Sequence, residues 1–213
     1  MQRNLHGPGI WLAGLLGVVK VGVWHDHRVW GVCNSEGVPV AIRRVDGEPF
    51  PSFKHVSERK THCLVKGEEW HKPIGFVPGL PNIHSIALGE GLGDYLALCE
   101  QVLWESDIRV GKGGPYDLGP IDDLKPKLLC LPMVMLAAPA RIQGEAVEWF
   151  RGRNVRIFAH YEQAGHAAGR RWRDQIAGVA GEVGFFNCGA VVSKPGGDFN
   201  DCYQIITERV LPI

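Results

Sequence analysis

The sequence predicts an α/β protein in which a mainly parallel sheet, with helices on both faces, follows a small, mainly antiparallel α+β region. Two patterns predict this. From residue 81 onward, short apolar runs alternate with helical periodicity, which favours a parallel sheet built from strand–helix units. Before residue 80, short strand patterns are separated by turn residues, which is typical of antiparallel strands. We therefore expect two domains, 1–80 and 81–213.

The N-terminal elements follow from apolar runs and turns. The segment GIWLAGLLGVVKVGVW is interrupted by Lys20 and by glycines, so it predicts core strands or a helix–strand unit rather than a membrane span. In VWGVCNSEGVPVAI, the turn residues NSEG separate two runs rich in valine, which predicts two antiparallel strands.

The C-terminal elements alternate in type. The predicted strands cover residues 84–90, 127–138, 154–160 and 182–192, and the predicted helices cover 93–106, 144–152, 164–181 and 198–210. Pro132 lies inside the second strand and marks an edge, a bend or two short pieces. The Gly- and Pro-rich residues 110–120 predict an exposed loop.

Composition narrows the function only a little. The formal net charge is zero, so no global basic field indicates nucleic acid, and any polyanion site must come from local clustering. The six cysteines include no Cys-x-x-Cys pair, which argues against a zinc ribbon. They predict reduced thiols and a cytoplasmic protein.

Two polar clusters lie where predicted strands end. In IALGEGLGDYLAL, Glu90 ends a strand and Asp94 opens a helix, which suits metal binding or proton transfer, although capping of the helix by Asp94 also explains the pattern. In VRIFAHYEQAG, His160 and Glu162 would point to the same side of an extended strand end, or would form a solvated turn. Because ligands of parallel sheets collect at the carboxyl ends of strands, Glu90, His160 and Glu162 can converge.

A third cluster opens the last helix. In SKPGGDFNDCYQ, Asp198 is placed to cap the helix, and Asn200 and Asp201 occupy its first turn. Capping and compensation of the helix dipole explain these residues as well as ligand binding does.

In this order, the three clusters resemble the toprim domain, the Rossmann-like catalytic fold shared by bacterial-type DNA primases and topoisomerases. GEGLGD resembles its Glu-Gly-x-x-Asp motif. IFAHYEQAGHAAGRRW resembles the segment where the family carries Asp-x-Asp, then Ala-Gly and a helix. GGDFND resembles the Lys-Asp-x-Asn-Asp stretch of primases of phage and mobile-element type. The N-terminal region, with HCLVKGEEWHKPIGF before the first motif, is similar to the small domain that precedes toprim in those primases.

The resemblance implies a DNA primase that synthesises RNA primers on single-stranded DNA from nucleoside triphosphates, with a divalent metal, Mg²⁺ or Mn²⁺. Glu90, Asp94, His160 and Glu162 are then the expected catalytic residues, and Glu90, His160 and Glu162 the expected metal ligands. Contacts to nucleotide or template are expected from Lys66, Arg170, Arg171, Lys194, Asp198, Asn200 and Asp201. A helicase or another replication protein is an expected partner.

The resemblance has two departures: the second motif is altered, and the zinc ribbon that commonly leads such primases is missing, as is any helicase domain. His160 and Glu162 stand where the family carries two aspartates, which removes one carboxylate and lengthens the other. Magnesium prefers oxygen ligands, whereas an imidazole suits manganese or zinc.

Three other functions stay open from the sequence. The first is a catalytically degenerate toprim domain that binds nucleic acid or a replication partner. The second is a toprim nuclease or strand-passing relative, which usually needs extra domains or a nucleophilic tyrosine, and Tyr161 lies within the second motif. The third is a small-molecule enzyme on the same sheet.

Overall fold

A computed structural model describes residues 7–46, 48, 61–65, 67–78, 80, 83–108, 125–137, 139–193 and 195–210. The strands in these ranges form two four-stranded sheets, one antiparallel and one parallel. The α/β class predicted from the sequence is confirmed.

The N-terminal part is a helix followed by the antiparallel sheet, in the order β1-β2-β3-β4. The elements are α1 (Gly7–Leu15), β1 (Val19–Trp24), β2 (His27–Cys33), β3 (Pro39–Arg44) and β4 (Thr61–Cys63). The NSEG turn joins β2 to β3, and Asn34 Oδ1 accepts the backbone N–H of Val38 at 3.0 Å. The first apolar segment is therefore a helix–strand unit, one of the two forms predicted.

The C-terminal part is the parallel sheet, in the order β6-β5-β7-β8. Its strands are β5 (Ser85–Glu90), β6 (Cys130–Met135), β7 (Asn154–Ile157) and β8 (Glu182–Phe185). The helices are α2 (Gly91–Glu105), α3 (Gln163–Ile176) and α4 (Phe199–Val210), with short 3₁₀ helices at Gly67–His71, Lys125–Lys127, Gly144–Phe150 and Cys188–Ala190. Pro132 lies in β6, which is an edge strand of this sheet. An edge position was one of the three interpretations of this proline.

Helices cover both faces of the parallel sheet. On one face, Ala87 and Phe158 pack with Leu98 of α2 and Phe199 of α4. On the other face, Ile157 belongs to a cluster that includes Trp172 of α3. Strands that are buried on both faces read as continuous apolar runs, which is why the pattern SIAL shows no alternation.

One apolar cluster connects the two sheets. It includes Leu12 of α1, Trp30 of β2, Leu96 of α2 and Ile157 of β7. Within the described ranges, no helix combines the length and the apolar character needed to cross a bilayer.

Several elements are shorter than predicted, among them β6, β7, β8 and α3. Strand β7 ends at Ile157, and β8, which pairs with it, ends at the partner residue Phe185. The ladder between β7 and β8 therefore ends at the Ile157–Phe185 pair. Helix α3 ends at Ile176, before Gly178 and Gly181, whose helix propensity is low.

Candidate metal centre

Two carboxylates come from the junction of β5 and α2. Glu90 is the last residue of β5, and Gly91 has φ +77°, a conformation that glycine adopts without strain. The chain therefore turns directly into α2, and Asp94 lies in the first helical turn with 1% exposure. Both side chains thus lie at the carboxyl end of β5.

An imidazole comes from the segment between β7 and α3. His160 lies three residues after the end of β7, and its side chain is 23% exposed. Gly165 of α3 packs directly against this segment, because a Cβ atom there would lie 2.5 Å from the His160 carbonyl oxygen. The absence of a side chain at Gly165 thus lets the start of α3 hold His160 in place.

The third part of the site is the beginning of α4. The backbone N–H of Tyr161 donates to the carbonyl of Gly197 at 2.8 Å, which fixes this segment beside His160. Asp198 Oδ1 accepts the Asp201 N–H at 2.9 Å, and Asp201 Oδ2 accepts the Asp198 N–H at 3.3 Å. This reciprocal arrangement caps the helix, so the predicted capping role of Asp198 is confirmed.

Asp94 connects α2, α4 and the imidazole. Its Oδ1 accepts the backbone N–H of Asn200 at 3.1 Å, and its Oδ2 faces His160 Nε2 at 3.2 Å. On the other side of the ring, His160 Nδ1 lies 3.9 Å from Glu90 Oε2, which is too long for a hydrogen bond but allows charge attraction.

Asp94, His160 and Asp198 have the spacing of a metal site. Each residue offers a ligand atom, and these atoms lie within 4.8 Å of one another. The 3.2 Å between His160 Nε2 and Asp94 Oδ2 matches the separation of about 3 Å between neighbouring ligands of an octahedral cation with bonds near 2.1 Å. Within the described residues, the buried Asp94 Oδ2 and His160 Nε2 make no well-angled hydrogen bond despite their contact. Both atoms fit a shared cation between them.

The charges of this cluster are strongly coupled. Burial is the largest influence on the pKa of Asp94, and it raises that pKa from 3.8 to about 6. The nearby imidazole and the Asn200 N–H lower the pKa and offset part of the effect of burial. Partial burial lowers the pKa of His160, but Asp94, Glu90 and Asp198 outweigh it and raise the value from 6.5 to about 9. The neighbouring carboxylates thus favour the protonated form of the imidazole beside Asp94.

The other predicted site residues lie elsewhere. Glu162 is exposed at the start of α3 and stands outside the cluster. The chain turns before it, because the Glu162 N–H donates to the His160 carbonyl at 2.9 Å, so the alternation of an extended strand no longer applies. Arg170 is exposed on α3, and Arg171 is half-buried. Lys66 and Lys194 lie outside the described residues.

Sequence reasoning assigned Asp198 to capping or nucleotide contact and did not place it among the metal ligands. The available signal was its position after the last strand of the same sheet, because α4 starts on the side where the other strands end. That signal gives the edge of the sheet but not the distance to Asp94.

Comparison with known proteins gives a fold relationship. No family profile and no curated protein sequence matches the chain. The primase fragment of the bacteriophage T7 primase-helicase protein is similar in structure, with a TM-score of 0.53 and 15% identity over 94% of this chain and 69% of that fragment. A DNA primase domain from Pseudomonas aeruginosa gives a TM-score of 0.45 and 14% identity over 88% of this chain and 52% of that domain. The T7 similarity shows that the chain has the fold of a primase fragment.

Proposed function

We propose that this chain is a toprim-type DNA primase or primase-like protein, which synthesises RNA primers on single-stranded DNA by metal-dependent nucleotidyl transfer. One observation carries the proposal: Asp94, His160 and Asp198 converge at the carboxyl edge of the parallel sheet, in a chain with the fold of a primase fragment. That edge is where open parallel sheets bind their ligands.

The proposed roles follow from position. Asp94, His160 and Asp198 hold a divalent cation, which would neutralise charge on the triphosphate of the incoming nucleotide. The Asn200 N–H fixes the orientation of Asp94. Glu90 lies at the strand end beside the imidazole, where it either helps to bind the cation or transfers a proton.

The template and partner contacts are further parts of this proposal. Arg170, exposed on α3, contacts template phosphates, and Arg171 contributes from the same helix. Lys66, Lys194 and Asp201 contact nucleotide or template, and a helicase or another replication protein is the partner. Glu162 stays a predicted catalytic residue that lies outside the ion cluster.

A second candidate is a degenerate toprim domain that binds nucleic acid or a replication partner without catalysis. The contact between His160 Nε2 and Asp94 Oδ2 favours it, because an imidazolium there occupies the place of a cation. In the primase, a metal cation would displace the proton from His160 Nε2. In the binding module, the protonated imidazole would stay beside Asp94.

Primer synthesis tests the proposal. The assay follows labelled ribonucleotides on single-stranded DNA with Mg²⁺ or Mn²⁺ for the wild type, Glu90→Ala and Glu182→Ala. Glu182 is the matched control, since it is an exposed glutamate at the opposite, amino end of the same sheet. We expect products that disappear in Glu90→Ala and persist in Glu182→Ala. If the wild type makes no product with Mg²⁺ and none with Mn²⁺ but still binds DNA, the result would favour the binding module.

A further inference from the structure

We infer that the Asp94, His160 and Asp198 cluster selects a transition-metal cation of the Mn²⁺, Co²⁺ and Zn²⁺ class over Mg²⁺, with His160 Nε2 as a direct ligand. The inference rests on the proposed function for the role of the cation, and it adds which cation the site takes.

The geometry makes the imidazole nitrogen part of the ligand set. His160 Nε2 and Asp94 Oδ2 lie 3.2 Å apart, close to the separation of about 3 Å between neighbouring ligands of one octahedral cation. Asp198 completes a set of two carboxylates and one imidazole within 4.8 Å. A cation held by Asp94 and Asp198 would therefore lie within reach of the ring nitrogen.

This set is a poor one for magnesium. Mg²⁺ takes oxygen ligands almost exclusively and gives up its water reluctantly. Transition-metal cations bind imidazole nitrogen well, and carboxylates are compatible with Mn²⁺ in particular. Replacing a carboxylate by an imidazole at this position thus lowers the affinity for Mg²⁺ and retains affinity for the transition metals.

The second ring nitrogen faces a carboxylate that can orient the ring. His160 Nδ1 lies 3.9 Å from Glu90 Oε2, and Glu90 is 14% exposed. Histidine ligands usually donate their other N–H to a carboxylate or carbonyl, which fixes the ring and raises its basicity. Glu90 is therefore suited to be a positioning residue for His160, and the ring would move by less than one bond length to reach it.

The test measures binding in the absence of DNA and nucleotide. Free and bound Mn²⁺ are separated by electron paramagnetic resonance, and Mg²⁺ is added as competitor to the wild type, His160→Asp and His166→Asp. His160→Asp makes the ligand set all oxygen. His166→Asp is the matched control, because His166 is exposed on α3 and lies outside the cluster. We expect His160→Asp to reduce the preference for Mn²⁺ over Mg²⁺ by about tenfold or more, and His166→Asp to leave it unchanged.

A second measurement needs no variant. Electron spin-echo envelope modulation of Mn²⁺ bound to the wild-type protein should show a directly bonded nitrogen, and its coupling should change when histidine is labelled with ¹⁵N. Absence of nitrogen coupling, or equal competition by Mg²⁺ in the wild type, would overturn the inference. Because neither readout involves synthesis, nitrogen ligation without primer products would contradict the proposed function and leave the metal preference standing.

Discussion

Asp94 serves two neighbours through its two oxygens. Oδ1 accepts the N–H of Asn200 in α4, and Oδ2 faces the imidazole of His160. The two oxygens therefore have different tasks. One supports the fold by satisfying a buried N–H group, and the other belongs to the candidate site.

Substitutions at Asp94 separate these tasks. Asp94→Ala leaves the buried Asn200 N–H without its acceptor and should lower the free energy of unfolding by about 1–3 kcal/mol. Asp94→Asn keeps a carbonyl oxygen at this position, so it should lose less stability, yet it removes the charge that attracts a cation. Urea denaturation with and without Mn²⁺ checks both effects: Mn²⁺ should stabilise the wild type but neither variant. Equal losses for Asn and Ala would contradict this division of roles.

For single residues, local roles could be predicted from the sequence, but contacts between distant segments could not. The capping of α4 by Asp198 was predictable because a cap depends on residues that are neighbours in the chain. Its approach to Asp94 and His160 depends on how α4 packs on α2, which local spacing does not encode. The grouping of His160 with Glu162 relied on the period of an extended strand, but β7 ends at Ile157.

At the level of elements, the order and type of most strands and helices after residue 81 followed from the sequence, whereas their ends did not. Apolar periodicity identifies a buried strand or helix face, and glycines and turn residues separate the elements. β8 ends at Phe185, the partner of the last residue of its hydrogen-bonded neighbour β7. This pairing is a tertiary contact, and no pattern within 182–192 contains it.

The cap of α4 offers a test at this scale. Asp201→Ala removes the acceptor of the Asp198 N–H and a carboxylate from the first helical turn, so it should cost about 1 kcal/mol of unfolding free energy. Asp201 lies outside the three-residue ion cluster, so Mn²⁺ affinity should change far less than in Asp198→Ala. Urea denaturation and Mn²⁺ titration of both variants provide the measurement. A comparable loss of Mn²⁺ affinity in Asp201→Ala would place this residue in the ion site.

At the level of the whole molecule, one apolar cluster of the described residues crosses between the two sheets. Helix α1 packs so closely on α2 that a Cβ atom at Gly9 would lie 2.1 Å from the Leu96 carbonyl oxygen. Since α1 leads into β1 and α2 follows β5, this contact connects the antiparallel and parallel sheets. The two predicted domains, 1–80 and 81–213, thus share part of their core.

Cooperative unfolding should follow from this shared core. Gly9→Ala forces α1 away from α2 and should lower stability by about 1–3 kcal/mol. Hydrogen exchange should show reduced protection in β2 and β5 alike, because the shared cluster couples them. Gly14→Ala is the control within α1: its Cβ would lie 3.8 Å from the Val19 carbonyl oxygen, an ordinary contact. Loss of protection in β2 alone would show that the two sheets unfold independently.

The proposed binding of single-stranded DNA requires a local track of cations, because the net charge of the chain is zero. Arg170 is exposed on α3, the helix that begins beside His160, so a phosphate contact there would lead toward the candidate site. Each such contact makes the slope of log affinity against log salt concentration more negative by about 0.7 for a single strand. Arg170→Gln should therefore weaken binding and make the salt dependence shallower by about that amount.

Arg151→Gln is the matched control for that titration. Arg151 is exposed, contacts Glu148 at 2.7 Å and precedes β7 at the amino end of the sheet, away from the candidate site. Fluorescence anisotropy of a labelled oligonucleotide over a range of salt concentrations measures both variants. An unchanged slope in Arg170→Gln, or the same change in Arg151→Gln, would mean that α3 does not track the template. A loss confined to Arg170→Gln would instead place the template strand along α3, directed toward the carboxyl edge where Asp94, His160 and Asp198 meet.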